Sequence, residues 1–78
     1  MMNGTQLRAL RRSLKVSYTE ASKASGVSRT RLVYAERGAA RLSNVERTAL
    51  EQFYVRRAAE IAGDLNRVFG ADGNSQPL

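Results

Sequence analysis

Arg29, Thr30, Arg31, Tyr34 and Arg37 carry the most directed chemistry in this chain. They fall within one short predicted helix, residues 29–37, with Leu32 and Ala35 on another face. A helix that is apolar on one side and basic on the other rests on a core and faces an anion. A guanidinium in such a place can donate two parallel hydrogen bonds to guanine O6 and N7, worth ~1–3 kcal/mol of discrimination, and a threonine methyl suits that of thymine. Other chemistries lack their residues. The chain has no Cys and no His, and its acids are scattered or stand at helix starts with no nucleophile–base pair, so an enzyme, a metal site or a cofactor is not expected.

The elements that must position these side chains are marked by their stops. Residues 17–20 (Ser-Tyr-Thr-Glu) form a capping box that starts a helix over residues 18–25. Gly26 then turns the chain with a left-handed backbone, which costs a residue bearing a Cβ roughly 1–2 kcal/mol. Ser28 caps the basic helix and Gly38 ends it. Upstream, residues 1–4 read as a frayed start and residues 5–15 as a first helix with Leu7, Leu10 and Leu14 turned inward. Downstream, residues 43–46 (Ser-Asn-Val-Glu) form a second capping box. The helix it opens should run from residue 44 to about 62 and on through 64–69, because a glycine such as Gly63 costs only about 1 kcal/mol against alanine in a helix interior. Gly70 is expected to end it, with residues 70–78 a disordered tail. No strand is predicted.

Charge divides the chain more sharply than composition does. Of 13 Lys and Arg against 7 acids, residues 1–41 hold a balance of +7 and residues 42–78 one of −1. One half is built to face a polyanion. At 78 residues, 42% hydrophobic, the core is small and a partner subunit would add to it. No apolar run approaches the ~18–20 residues that span a bilayer, and the N-terminus has no signal-like stretch, so a cytoplasmic protein without membrane association is expected.

Across residues 7–54 the chain resembles the Xre/Cro-type helix-turn-helix domain of lambda-like phage repressors. The resemblance rests on Arg11 in the first helix, the capped second helix from Ser17 to Glu20, Gly26-Val27 at the turn, and Glu36-Arg37-Gly38 closing the third helix. It implies an all-α bundle of about five helices, here with an extended C-terminal helix, and a third helix that enters the major groove. Carried over, Arg29, Thr30 and Tyr34 match positions that meet base edges, with Ser28 and Val33 contributing, and Tyr18, Arg37 and Arg41 match phosphate contacts; Arg8 and Arg12, on the outer faces of the first helix, are expected to be solvated or near phosphate. Tyr34 has a packing alternative, and Arg31 faces phosphate or solvent rather than base edges. Arg11 and Glu36 correspond to a structural ion pair between the first and third helices.

The sequence departs from the family where Ala21 and Ala35 replace larger aliphatic residues, Ser22 replaces alanine, Ser25 an apolar residue, and Leu42 a proline. The core is therefore expected from Leu10, Leu14, Val27, Leu32, Leu42, Val45, Ala49, Leu50 and Phe53. Beyond residue 54 the chain exceeds the family pattern. Tyr54, Ala58, Ile61, Leu65 and Val68 are spaced 4, 3, 4, 3, the seam of a short helix pair, aided by Phe53, Val55 and Phe69. Folding back onto Leu7 and Leu10 is the intrachain alternative to dimerisation.

The expectation is three segments: a DNA-binding domain over residues 1–54, a dimerisation segment over 55–69 and a tail over 70–78. The function expected is that of a homodimeric repressor or Cro-like regulator of a phage, mobile element or bacterial operon, nucleoid-associated, with no small-molecule ligand and no length left for a sensor domain. Its partner would be double-stranded DNA carrying an inverted repeat. An antitoxin or adaptor, whose C-terminal segment binds a different protein, and an architectural or recombination-accessory DNA binder are the other classes that fit.

Overall fold

The computed structural model describes residues 2–74, with side chains through residue 68, and within these it contains four α-helices and no strand. Helix α1 spans Gly4–Ser13, α2 Tyr18–Ser25, α3 Arg29–Glu36 and α4 Asn44–Asn74. About five helices were expected. Four are found because residues 44–74 form one continuous element, which passes through both Gly63 and Gly70 and crosses the expected boundary at residues 54–55. Neither glycine stops the helix, since lacking a Cβ only lowers helix propensity and does not forbid helical backbone. Residues 70–74, expected in a tail, are the last residues of α4, and residues 75–78 lie outside the described residues.

Of the start expected to fray, residues 2–4 are ordered, and Met1 lies outside the described residues. Asn3 Oδ1 accepts the Gln6 N–H at 2.8 Å while Gln6 Oε1 accepts the Asn3 N–H at 2.9 Å, a reciprocal cap that opens α1, and Met2 packs against the core. The helix closes earlier than residue 15. Val16 N–H reaches Arg11 O at 3.0 Å and Lys15 N–H reaches Arg12 O at 3.1 Å, with Lys15 left-handed at φ 59°. That pattern is a Schellman closure made by a lysine where glycine is the usual residue. Its effect is to bring Val16 into the core.

The core is a single cluster in which α2 packs on α3 and α4, and α1 packs on α3. Its buried members are Leu7, Val16, Ala21, Val27, Leu32, Ala35, Leu42, Leu50 and Tyr54; Leu10, Leu14 and Phe53 are only partly buried. Val45 is 79% exposed, against expectation. With Leu50 and Tyr54 turned inward, a residue nine positions before Tyr54 lies roughly half a turn away around a helix of about 3.6 residues per turn. Ala21 and Ala35 are buried because their small side chains let the helices approach closely. Gly4 is small for a similar reason: a Cβ there would collide with the Ala35 carbonyl oxygen and stand 3.1 Å from that of Glu36. The start of α1 therefore lies directly against the end of α3, and this contact fixes how α3 sits on the body.

Candidate functional site

Helices α2 and α3 are joined by three residues whose roles are local. The α2 start is held by Ser17 Oγ accepting the Glu20 N–H at 3.1 Å and Glu20 Oε1 accepting the Ser17 N–H at 3.3 Å. Gly26 takes φ 79° and its N–H donates to Ser22 O at 2.8 Å. Val27 then enters the core, and Ser28 Oγ accepts the Arg31 N–H at 3.2 Å to begin α3. At the far end Ala39 N–H and Gly38 N–H close the helix onto Tyr34 O and Ala35 O, with Gly38 also at φ 79°.

This framing divides α3 by chemistry. Leu32, Ala35 and Glu36 are buried; Ser28, Arg29, Thr30, Arg31, Tyr34 and Arg37 are exposed, and Val33 is half-buried. Tyr34, at 48% exposure, is not a packing residue of this chain. The one acid of α3, Glu36, is turned inward and neutralised, so the outward face of the helix carries only positive charge.

Glu36 is the meeting point of three helices. Arg11 Nε donates to Glu36 Oε2 at 2.7 Å and Arg11 Nη2 to Glu36 Oε1 at 3.2 Å, a two-pronged pair; Arg11 Nη1 donates to Val16 O at 3.0 Å. Tyr18 Oη donates to Glu36 Oε1 at 2.8 Å, and the Arg11 guanidinium lies 3.9 Å from the Tyr18 ring centroid. The hydrogen bond to Glu36 raises the Arg11 pKa above its ordinary value, and burial, followed by Glu36, raises that of the Tyr18 phenol. Tyr18, expected to bind phosphate, is thus engaged inside the body. A phosphate could use its hydroxyl only by displacing Glu36.

Arg31 is also engaged within the chain. Nη1 pairs with Glu46 and Nη2 donates to Arg41 O at 2.9 Å, so the residue ties α3 to the loop before α4. Glu46 in turn caps α4, with Oε1 accepting the Ser43 N–H at 2.9 Å. That cap first, and Arg31 second, hold the Glu46 carboxyl below its usual pKa. Arg29 remains outward, with Nη1 3.5 Å from Thr19 Oγ1, and Arg8, Arg12, Arg37 and Arg41 are exposed.

The residues expected on a dimer seam separate into two groups. Tyr54 is fully buried and belongs to the core, a correction to its expected place, while Ala58, Ile61, Leu65 and Val68 are exposed, the last three at 36%, 51% and 63%. The stripe is continuous on the helix, and the body covers only its first turn. Phe69, expected to assist, has a side chain outside the described residues. The fold-back alternative is not adopted, since Leu7 is buried within the body and residues 58–68 are all exposed.

One contact gave no sequence signal. Arg57 Nη2 donates to Glu20 Oε2 at 2.8 Å, joining α4 to the capped start of α2, and it lowers the Glu20 pKa more than the Ser17 cap does. The two residues are 37 positions apart and no local pattern pairs them. Among the described residues no group of acids could hold a metal ion, and no helix is long and apolar enough to cross a membrane. No family model matches the chain, and no curated protein or solved structure matches it significantly.

Proposed function

We propose that this chain is a sequence-specific DNA-binding transcriptional regulator of the Xre/Cro helix-turn-helix type, acting as a homodimeric repressor or Cro-like control protein. The observation that carries the reading is the outward face of α3, where Arg29, Thr30, Tyr34 and Arg37 are exposed and no acid accompanies them. A rigidly seated helix with that face suits the major groove, which is wide enough to admit it. In this reading Arg29 and Thr30 meet base edges, with Ser28 and Tyr34 beside them. Arg8, Arg12, Arg37 and Arg41 bind phosphates and set orientation. Arg31 and Tyr18 serve the scaffold instead. The exposed stripe of α4 supplies the dimer contact, and a two-fold dimer calls for an operator with inverted half-sites about 34 Å, or ~10 base pairs, apart.

The test is selection of bound sequences from random duplex DNA, followed by the Arg29→Ala variant on the selected site. An inverted repeat should emerge, and Arg29→Ala should cost ~1–3 kcal/mol and relax preference at one or two base pairs. Arg37→Ala should weaken all sequences about equally. Equal loss of specific and random-DNA affinity in a folded Arg29→Ala protein would remove Arg29 from base reading, and no enrichment in the selection would remove the function.

A further inference from the structure

The exposed stripe of α4 is not on an arbitrary side of the helix. At about 100° per residue, Leu50, Ile61, Leu65 and Val68 all fall within roughly 40° of Tyr54 around the axis. Leu50 and Tyr54 face the body of their own chain, so the uncovered residues point to the same side on which that body lies. Arg57, joined to Glu20 of α2, marks the edge of the body. From residue 58 onward the helix projects past it, and every described side chain there is exposed. The projection is 17 residues long, counting to Asn74, or about 25 Å at ~1.5 Å per residue. The protein is therefore L-shaped, 51 Å long by 20 × 19 Å across, with its uncovered apolar stripe on the inner side of the L.

We propose that two copies pair through this inner face with their α4 helices antiparallel, each projection filling the notch of the other. The arrangement rests on the homodimer proposed above and specifies its geometry. Packed helices lie about 8–10 Å apart. A body occupying most of a 20 Å cross-section on the stripe side leaves no room for a second body at the same height. A parallel pair in register would drive the two bodies into each other. An antiparallel pair places them at opposite ends, and the free length alongside each projection equals the length of the projection that comes to fill it. Leu65 then meets the Leu65 and Val68 region of the second copy, and the last turn of the second α4 arrives beside Arg57. With residue 58 of one copy opposite residue 74 of the other, the two-fold axis lies near residue 66 and the two bodies are centred about 45 Å apart along α4.

The test uses spin labels and pulsed dipolar spectroscopy, on full-length protein carrying Thr48→Cys or, separately, Gln52→Cys. Both positions are exposed and away from the stripe, and the chain has no cysteine of its own. Antiparallel pairing predicts about 55 Å between Thr48 labels and a distance shorter by about 12 Å between Gln52 labels, since each moves four residues toward the axis. A parallel pair predicts about 20–25 Å at both sites with almost no change between them. That second result would overturn the antiparallel arrangement and leave the dimer standing. Light scattering on the same samples separates the other failure: a monomer at tens of micromolar would overturn both and leave the projection to a different protein.

Discussion

Replacing Gly4 by alanine should destabilise the protein, although the same change inside an ordinary helix stabilises it by about 1 kcal/mol. Gly4 opens α1 where the helix touches the last turn of α3, and the added carbon would strike the backbone oxygen of Ala35 with the Glu36 oxygen 3.1 Å away. Backbone cannot rotate aside as a side chain can, so α1 must shift relative to α3. Overpacking of this kind costs typically ~1–3 kcal/mol, which outweighs the propensity gain. Gly63 is the internal control, being in α4 with nothing within 4 Å of an added Cβ. Alanine there should raise helical content. Thermal unfolding followed by circular dichroism at one fixed protein concentration, so that any dimer linkage is constant, should show Gly4→Ala melting several degrees lower, at ~4–8 °C per kcal/mol for a domain of this size. Gly63→Ala should melt no lower than the parent. A Gly4→Ala protein as stable as Gly63→Ala would refute the close α1–α3 approach.

Other perturbations test the remaining contacts. Glu36→Gln leaves the Arg11 guanidinium buried without a counter-charge and should cost ~3–5 kcal/mol in urea unfolding; a loss below about 1 kcal/mol would mean the pair is solvated in solution. The Tyr54 hydroxyl is buried with no hydrogen-bond partner among the described residues, so Tyr54→Phe should be neutral or stabilising by up to ~1 kcal/mol, and a clear loss would reveal a partner. The Glu20 and Glu46 carboxyls have pKa values lowered on folding, Glu20 chiefly by Arg57 and Glu46 chiefly by the Ser43 cap. Their contribution is therefore fully present above the ordinary carboxylate range near 4.5 and is lost as pH falls through the lowered folded values. Stability measured against pH should fall below that range, and the fall should be shallower in a Glu20→Gln, Glu46→Gln double variant.

What was legible in the chain was local. The starts of α2, α3 and α4 stand where Ser17, Ser28 and Ser43 place them, because a cap is a contact between residues three apart. The cap at Asn3 was hidden by the glycine after it, which reads as a breaker although it is there to clear the Ala35 carbonyl. The close of α1 was hidden because Lys15 takes a backbone conformation that its type seldom signals. The periodic stripe on α4 is visible in the sequence, but periodicity cannot say where a covering body stops, so spacing alone groups Tyr54 with Ile61 rather than with Leu50. Of the candidate site, residue types and the outward direction of Arg29 and Thr30 were readable. The engagement of Tyr18 with Glu36, and of Arg31 with Glu46 and Arg41, depends on how distant elements dock, and no spacing rule reports it.

The three-helix contact at Glu36 also bears on the order in which the chain can become structured as it is made. Arg11 and Tyr18 are synthesised well before the carboxylate that both require, so a nascent chain ending at residue 35 contains two polar groups destined for the interior and nothing to neutralise them. Helices of ten and eight residues, such as α1 and α2, are too short to persist alone in water. The nascent chain is therefore expected to stay open until Glu36 has been added, with the Leu50 and Tyr54 part of its core following later. A chain cut anywhere before that glutamate should therefore show no cooperative unfolding transition.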